Sequence, residues 1–260
     1  MKKDQSGPDP GSEKHIVPAL FRGLKLLEKI AEHPEGAAFS LLVQETGLPT
    51  ATVYRMTETL EKCGYVKHSI DRRYRISRKL LKLGSLSCGE NALVERAMPF
   101  LRKARDLSGE TVLLGVLNGR EGIVLACVDS PQAVKVSIRI GHHFPLHTAA
   151  PAKAILAMLP EEECSTILEG IVYTRFTKKT ITTEEAFRRE LAEVKRSGLA
   201  FDRGEELDDL RCIAAPILNE GNYPVAAVWC SGPSSRFTAA QEKSIARIIR
   251  ETAGEISSGQ

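Results

Sequence analysis

Two short helical segments joined by a tight turn constrain the fold of this chain more than any other feature. Ser40 is a suitable N-cap for the first segment, LLVQETG, and Gly47 predicts where that segment ends. Pro49 and Thr50 open the second segment, TATVYRMTETLEK, whose apolar residues recur at helical spacing. Because only the stretch TGLP lies between them, the pair predicts a helix-turn-helix.

The segments on either side extend this prediction to a complete small domain. The stretch VPALFRGLKLLEKIAEH places Leu20, Leu24, Leu27 and Ile30 at helical spacing, which predicts a first helix that completes the core. After the second helix, GYV and RYRIS are strand-like, and the polar stretch SIDRR between them predicts a hairpin tip. A helix-turn-helix followed by a basic hairpin is a winged helix.

The polar face of the second helix suggests what this domain contacts. Thr50, Thr52, Tyr54 and Arg55 are an unusual choice for an idle solvent face, where Glu and Lys form helices better. In a winged helix this segment enters the major groove of DNA, where such side chains reach base edges or phosphates. Arg55 is the best candidate for a charged contact. Helix-turn-helix units also serve as dimerisation or protein-docking modules, which is the alternative.

Charge is concentrated in the same region. Residues 62–79 hold seven basic side chains and one acid, whereas the whole chain has a net charge of only +3. Such a block is typical of a surface that binds a polyanion, and a solvated charged face is the alternative. Arg72 and Arg73, at the hairpin tip, would add salt-sensitive affinity for the DNA backbone.

Composition indicates the general class of protein. The six cysteines are scattered without a C-x-x-C pair, which suggests reduced thiols in a cytoplasmic protein. No apolar run approaches the length of roughly 18 residues that a membrane span needs, so no membrane partner is expected. Residues 1–15 are polar and rich in Gly and Pro, and they predict a disordered tail.

The rest of the chain predicts a second domain of the α+β class. Asn118-Gly119 separates two strand patterns and is a strong hairpin signal, and AVKVSIRI, residues 133–140, alternates as a third strand should. Helices and two further strands follow, which gives an antiparallel sheet flanked by helices. A helix through Pro99 should be kinked or broken there. The predicted organisation is a winged helix-turn-helix at 16–78, a linker helix at 79–93 and an α+β domain at 94–258.

Several motifs in register resemble one family. The stretches VPALFRGLKLLEKIAE, LPTATVYRMTETLEKCGYV and RYRISRKLLKLG resemble the DNA-binding domain of the IclR family of bacterial transcriptional regulators. Later stretches, including GHHFPLHTAAPAKAILAMLP, RCIAAPI and SGPSSRF, resemble its ligand-sensing domain, which is similar to GAF and PAS domains. The resemblance covers Val17 to Ser257. Ala51 stands where the family commonly has Ser, a change that can alter one phosphate or base contact.

The resemblance implies partners and site residues. It implies a homodimer or a dimer of dimers on a palindrome-like DNA operator, with the linkers and first helices in contact. Together with the winged-helix pattern, it predicts DNA contacts at Ser40, Thr50, Ala51, Thr52, Tyr54, Arg55, Arg72 and Arg73. It implies that a small-molecule effector is contacted by Ala150, Pro151, Asp202, Cys212, Trp229 and Ser231.

Two departures from the family bear on the effector. Ala150-Pro151 replaces the Gly-Ala of members that respond to glyoxylate or pyruvate, which leaves fewer N–H groups for a carboxylate. Trp229 replaces a Ser in those members and favours a flatter, aromatic ligand that stacks on the indole. Arg139 and His147 are candidate counter-charges for an anion, and each can equally be structural. The alternative for Trp229 is a core residue on an apolar strand.

Other chemistry finds little support in the sequence. The stretch GHHFPLH holds His142, His143 and His147, but Pro145 rules out a continuous zinc-binding helix, so no metal and no cofactor are expected. No phosphate-binding loop or nucleophile motif is present, so no enzymatic activity is expected.

The sequence therefore predicts a DNA-binding regulator whose operator binding is modulated by a small organic or aromatic acid. The alternative is a DNA-binding regulator whose second domain serves only oligomerisation.

Overall fold

The computed structural model of the chain describes residues 16–69, 71–80 and 90–259. The chain divides into two compact units between Cys88 and Gly89. The predicted linker helix, 79–93, falls largely on residues outside the described ranges, and helix is described again from Glu90 onward.

The first unit is a winged helix. Its longest described elements are three helices, which accompany a small antiparallel sheet whose strand order is β1-β3-β2. In chain order its elements are α1 (Pro18–Ala31), β1 (Ala37–Ala38), α2 (Phe39–Thr46), α3 (Thr50–Lys62), β2 (Val66–His68) and β3 (Arg73–Ile76).

The core of the first unit joins all of its helices to the sheet. Leu26, Ile30, Leu42, Val53 and Val66 are almost fully buried and form one cluster. Burial of such side chains stabilises the fold by about 1.5–3 kcal/mol each. The helix-turn-helix predicted from the sequence is therefore confirmed as a packed unit.

Two details of this unit differ from the sequence prediction. Ser40 is not an N-cap, because α2 begins at Phe39 and Ala38 occupies the cap position without a side-chain hydrogen bond. Leu20 and Leu24 do not enter the core and remain 63% and 50% exposed. Periodicity located the apolar stripe of α1, but only the C-terminal part of the helix packs on the other elements.

The turn of the helix-turn-helix follows the prediction. Gly47 ends α2 with a positive φ of 62°, a left-handed conformation that costs glycine little. Its N–H donates to the carbonyl of Val43 at 3.1 Å, and Pro49 takes the N-cap position of α3.

The second unit is an α+β domain. Its described elements are α4 (Glu90–Ser108), β4 (Thr111–Asn118), β5 (Glu121–Val128), β6 (His143–Phe144), α5 (Ala150–Leu156), α6 (Glu161–Leu168), α7 (Glu184–Ser197), β7 (Ala200–Asp202), β8 (Leu210–Leu218), β9 (Pro224–Pro233) and α8 (Ala239–Ser258), with a short 3-10 turn at Ser234–Arg236.

One antiparallel sheet with helices on both faces organises this unit. The strand order is β6-β5-β4-β9-β8-β7. Alternation along β4 divides the core, since Leu113 packs with α5, α6 and α7 whereas Val112 and Leu114 pack with α4 and α8. The predicted turn at Asn118-Gly119 joins β4 to β5, and Gly119 has a φ of 62°.

The prediction of a strand at 133–140 is wrong, because this segment has no regular secondary structure. Residues 141–144 occupy the edge of β5 instead. Gly141 N–H donates to Val124 O at 2.8 Å, Val124 N–H donates to His142 O at 3.0 Å, and Phe144 pairs with Gly122. The edge that residues 133–140 would have needed is therefore already paired.

Pro99 lies inside α4, which runs through it as one helix over Glu90–Ser108, so the predicted break is absent. Across the part of the chain that the structure describes, no helix combines the length and apolar character needed to cross a membrane.

Candidate DNA-binding surface and ligand cavity

The outer face of α3 is built from the residues singled out in the sequence. Thr50, Ala51, Tyr54 and Arg55 are exposed, and Thr52 is half-buried. Ser40 is exposed on the neighbouring helix α2. The structure thus leaves the predicted contact residues of the helix-turn-helix accessible to a partner.

The inner face of α3 fixes the position of this surface. Val53 and Thr57 are fully buried, and the Thr57 hydroxyl donates to the carbonyls of Val53 at 3.1 Å and Tyr54 at 2.9 Å. The Tyr54 ring packs edge-on against Phe39 at 6.4 Å while remaining 54% exposed. This contact orients the Tyr54 ring on the surface of the helix.

The arginines of the wing have different surroundings. Arg72 is exposed at the hairpin tip with a φ of 59°, and no described residue pairs with its guanidinium. Arg73 is exposed but donates to Gly36 O at 3.1 Å. Arg75 is held by Asp71, at 2.8 Å, and its pKa is raised by that hydrogen bond. Arg72 is therefore the most available of these three arginines.

The second unit contains a cavity of about 280 Å³ between the sheet and α5. The irregular segment 136–138 and the loop after β7 complete its wall. All six residues that the sequence predicted for an effector site line this one cavity, namely Ala150, Pro151, Asp202, Cys212, Trp229 and Ser231.

Trp229 is both a core residue and a wall of the cavity. It is 3% exposed and packs edge-on against Phe144 with ring centroids 5.6 Å apart. Gly115 on β4 makes room for the indole, because a Cβ at Gly115 would lie 3.0 Å from the ring and 2.6 Å from Ile123 O. The two interpretations of Trp229 from the sequence are therefore compatible.

We expect Gly115→Ala to lower the free energy of unfolding by about 1–3 kcal/mol, since the added methyl group overpacks a site bounded by backbone. Denaturant unfolding measures the change. Gly254→Ala is the matched control, because nothing lies within 4 Å of its added Cβ and the helix should gain up to about 1 kcal/mol. Equal stability of Gly115→Ala and the wild type would show that Trp229 does not depend on this space.

The polar groups of the cavity wall are held in defined states. The Cys212 thiol lies 3.0 Å from the Ser231 hydroxyl, and burial raises its pKa well above the ordinary value, so it is a neutral thiol. Asp202 is 2% exposed, and its Oδ1 accepts from the N–H groups of Gly204 at 3.0 Å and Glu205 at 2.7 Å. Burial is the main cause that raises the pKa of Asp202.

A buried lysine lies behind this wall and was missed in the sequence. Lys153 on α5 has no exposed surface, and its Nζ donates to Glu205 Oε1 at 2.5 Å, Phe201 O at 3.0 Å and Glu190 Oε1 at 3.4 Å. The signal was available, because Lys153 is the one charge in the apolar run AAPAKAILAML. A lysine is rarely buried unless it is paired.

The counter-charges suggested for an acid do not line the cavity. Arg139 is exposed and outside its lining. His147 is 3% exposed, its Nε2 lies 2.9 Å from Thr174 O, and its ring stacks on Phe176. Both suggestions are therefore wrong for the cavity as the structure describes it.

The three histidines of GHHFPLH diverge. His142 reaches the cavity, His143 pairs with Glu121 at 2.5 Å, and His147 turns into the core. Among the described residues, no group of three or more His, Cys, Asp or Glu side chains is arranged to hold a metal ion.

One unit is a winged helix, and the other is an α+β domain with a cavity. This combination is typical of DNA-binding regulators that have a separate ligand-binding domain. Two family models match the chain: the IclR helix-turn-helix domain over residues 19–69 and the bacterial transcriptional regulator IclR C-terminal over residues 87–258. The chain belongs to the IclR family of bacterial transcriptional regulators.

Named relatives agree with this assignment. Transcriptional repressor IclR of Escherichia coli K12 is 32% identical over 243 residues, covering 92% of this chain and 89% of the relative. The regulator KdgR of the same organism is 29% identical over 250 residues, covering 96% and 95%. Both names describe transcriptional regulators and neither describes an enzyme.

Solved structures show the same architecture. The crystal structure of Thermotoga maritima IclR superposes with a TM-score of 0.77 at 29% identity, covering 92% of this chain and 97% of that one. An IclR homologue from Microbacterium hydrocarbonoxydans, complexed with 4-hydroxybenzoate, superposes with a TM-score of 0.79 at 24% identity and shares the fold. The family and the α+β fold expected from the sequence are thus confirmed.

Proposed function

We propose that this chain binds a specific DNA operator and that a small molecule in the cavity of the second unit modulates this binding. The observation that carries the proposal is the convergence of all six expected effector residues on one cavity. The 4-hydroxybenzoate complex of the Microbacterium homologue supports a small aromatic occupant of this kind of domain.

On the DNA side, the proposal assigns the major groove to the exposed face of α3 and the flanking backbone to the wing. Arg55 and Tyr54 reach base edges, whereas Thr50 and Thr52 in the first turn meet phosphates. Arg72 supplies affinity without sequence preference. Ser40, Ala51 and Arg73 complete the contact surface.

The proposed assembly is a homodimer, alone or as a dimer of dimers, on a palindrome-like operator. Exposed apolar side chains on and just before the first turns of α1 support a contact between first helices. Val17, Leu20 and Leu24 are 61%, 63% and 50% exposed, and Phe21 is exposed beside them. A contiguous apolar patch of this kind is typical of a protein–protein interface.

The mechanism we propose is a shift of populations. Two arrangements of the DNA-binding units differ in operator affinity, and the ligand prefers one of them. A ligand can change operator affinity only by the ratio of its own affinities for the two arrangements.

The ligand half of the proposal is tested with the only tryptophan of the chain. Purified protein is titrated with 4-hydroxybenzoate and then with panels of organic acids, sugar acids and amines while Trp229 emission is followed. A saturable change that also alters operator affinity supports the proposal. Operator binding that is indifferent to every compound favours the alternative, in which the second unit serves only oligomerisation.

We expect Arg72→Ala to reduce the salt dependence of DNA binding. Loss of one phosphate contact should decrease the slope of log K against log salt concentration by about 0.9. Affinity should fall equally for operator and random duplexes, because a phosphate contact carries no sequence information. Fluorescence anisotropy over a salt series measures both effects.

Arg196→Ala in the second unit is the matched control for Arg72→Ala. Arg196 is 78% exposed and pairs only with Glu193 among the described residues. Its loss removes one positive charge and should leave the salt slope unchanged. A slope that Arg72→Ala also leaves unchanged would remove Arg72 from the DNA contact.

A further inference from the structure

The charge of the cavity wall is negative. Two carboxyl groups, those of Asp202 and Glu206, lie among the lining residues, together with the imidazole of His142. Among the described residues that line the cavity there is no lysine or arginine. An anionic ligand would therefore enter a wall that offers it two carboxyls and no permanent cation.

The two cations that act on the charge of Asp202 are engaged elsewhere. Lys153 is completely buried and makes its hydrogen bonds to Glu205, Glu190 and the Phe201 carbonyl. The Arg211 guanidinium donates to the carbonyls of Asp208, at 3.1 Å, and Leu210, at 2.7 Å. Neither Lys153 nor Arg211 lines the cavity.

Asp202 offers the cavity an acceptor that the described protein groups do not use. Its Oδ1 receives two backbone N–H groups, whereas no described residue donates a hydrogen bond to its Oδ2. The side chain is almost completely buried and lines the cavity. Oδ2 is not among the fully buried side-chain atoms that lack a partner, so it keeps accessible surface, and a ligand in the cavity can donate a hydrogen bond to it.

The backbone gives a carboxylate little help. Pro151 stands in the first turn of α5 and has no N–H group, and α5 is only 7 residues long. The remaining wall is largely apolar, with the rings of Trp229 and Phe144 and the side chains of Val124 and Leu210. Aromatic faces attract organic cations as well as flat apolar groups.

We propose that the cavity takes a small primary ammonium compound with an aromatic body, rather than the carboxylate expected from the sequence. The inference rests on the proposed function in that it takes this cavity as the effector site. The ammonium group donates to Asp202 Oδ2 and lies near Glu206, and the aromatic body packs on Trp229.

The protonation behaviour of the wall supports this assignment. Burial raises the pKa of Asp202 and of Glu206, and the charge of Asp202 raises the pKa of Glu206 further, whereas Lys153 and Arg211 only partly offset the rise in the pKa of Asp202. A third negative charge would increase this cost, whereas a cation reduces it. The charges of the cavity wall therefore favour a positively charged ligand over a negatively charged one.

The test uses three probes that share one aryl skeleton: 2-phenylethylamine, 2-phenylethanol and phenylacetate. Isothermal titration of the full chain compares their affinities. We expect 2-phenylethylamine to bind about tenfold more tightly than phenylacetate, which is the effect of one charge-assisted hydrogen bond. Tighter or equal binding of phenylacetate overturns the inference, and so does the absence of binding by all three probes.

Asp202→Asn identifies the group responsible, because asparagine can still accept the two N–H groups that shape the loop. We expect it to lose about tenfold in affinity for 2-phenylethylamine and to keep its affinity for 2-phenylethanol. Asp208→Asn is the matched control, since Asp208 is 69% exposed in the same loop and outside the cavity wall. If Asp202→Asn fails to fold, Glu206→Gln takes its place with the same expected direction.

Operator binding, measured on the same preparations, separates this inference from the proposed function. If phenylacetate binds and shifts operator affinity, the proposed function stands and the ammonium inference fails. If 2-phenylethylamine binds through Asp202 and operator affinity does not change, the ammonium inference stands and modulation of DNA binding fails.

Discussion

Replacing Lys153 with methionine is expected to lower the free energy of unfolding by about 3–5 kcal/mol. Lys153 has no exposed surface, and Glu205, its partner at 2.5 Å, has a side chain that is 9% exposed. Methionine fills a similar volume but leaves the Glu205 carboxylate buried without a cation. One oxygen of that carboxylate, Oε2, already lacks a hydrogen-bond partner in the described structure.

The size of the loss should depend on pH. Burial raises the pKa of Glu205 above its unfolded value even beside Lys153. A carboxyl whose folded pKa is raised binds a proton more readily in the folded state, so its contribution to stability decreases as pH rises from the unfolded to the folded pKa. In Lys153→Met this carboxyl has lost its cation. Without the cation its folded pKa is higher still, so we expect the deficit to be nearly constant in acid and to grow as pH rises above about 7, the folded pKa of Glu205 in the wild type.

Denaturant unfolding measures the effect, with the free energy of unfolding of Lys153→Met compared with that of the control variant Lys103→Met. Lys103 also pairs with a glutamate, Glu255 at 2.6 Å, but it is 58% exposed, so its loss should cost less than about 1 kcal/mol. The double variant Lys153→Met with Glu205→Met should recover much of the stability, because neither member of this pair is then left buried without its partner. Wild-type stability of Lys153→Met would show that this pair does not stabilise the domain.

Arg55→Ala is expected to weaken operator binding by about 1–3 kcal/mol, or roughly 5- to 150-fold, and binding to random DNA by much less. Arg55 is exposed on the outer face of α3, and no described residue pairs with its guanidinium. Its backbone carbonyl accepts from Thr59 at 2.7 Å within the helix. The side chain is therefore available for a base edge.

Fluorescence anisotropy with operator and scrambled duplexes distinguishes the role of Arg55. Arg196→Ala is again the matched control, since Arg196 is a 78% exposed cation of the second unit that pairs with Glu193. An equal loss on both duplexes would make Arg55 a phosphate contact. Unchanged binding to both would remove Arg55 from the interface.

Local patterns predicted most of the first unit. Gly47 and the Pro49–Thr50 pair mark the boundaries of α2 and α3 because backbone conformation at these positions depends on the residue itself. Leu20 and Leu24 could not be placed in the same way. Helical spacing shows that apolar residues share one face, but not whether an element of the same chain covers that face.

Non-local competition explains the wrong strand at 133–140. Its alternation suits a strand, but a strand also needs a free edge to pair with. Residues 141–144 pair with β5, so the preceding segment remains irregular and becomes part of the cavity wall instead. Nothing in the segment itself encodes this outcome.

The family resemblance identified the six expected residues of the cavity. It did not identify the buried Lys153–Glu205 ion pair behind the cavity wall. Lys153 and Glu205 are 52 positions apart, and only the packing of α5 against β7 and its loop brings them together. The single lysine in an apolar run predicts a buried ion pair, but it cannot identify the partner. Of the two carboxyl groups in the cavity wall, Asp202 was expected from the resemblance, whereas Glu206 was not, and only the folding of the loop after β7 places it there.

The central claim is that an occupant of the cavity modulates operator affinity. The most direct test first selects an operator duplex from random DNA and then measures binding to it by fluorescence anisotropy. The wild type is compared with Ile138→Trp, whose larger side chain fills the cavity from its half-buried irregular wall. We expect at least one bound compound to change wild-type operator affinity and to leave Ile138→Trp unchanged, with equal DNA affinity of the two free proteins. A compound that changes both proteins equally, or no compound that changes the wild type, would contradict a regulatory cavity.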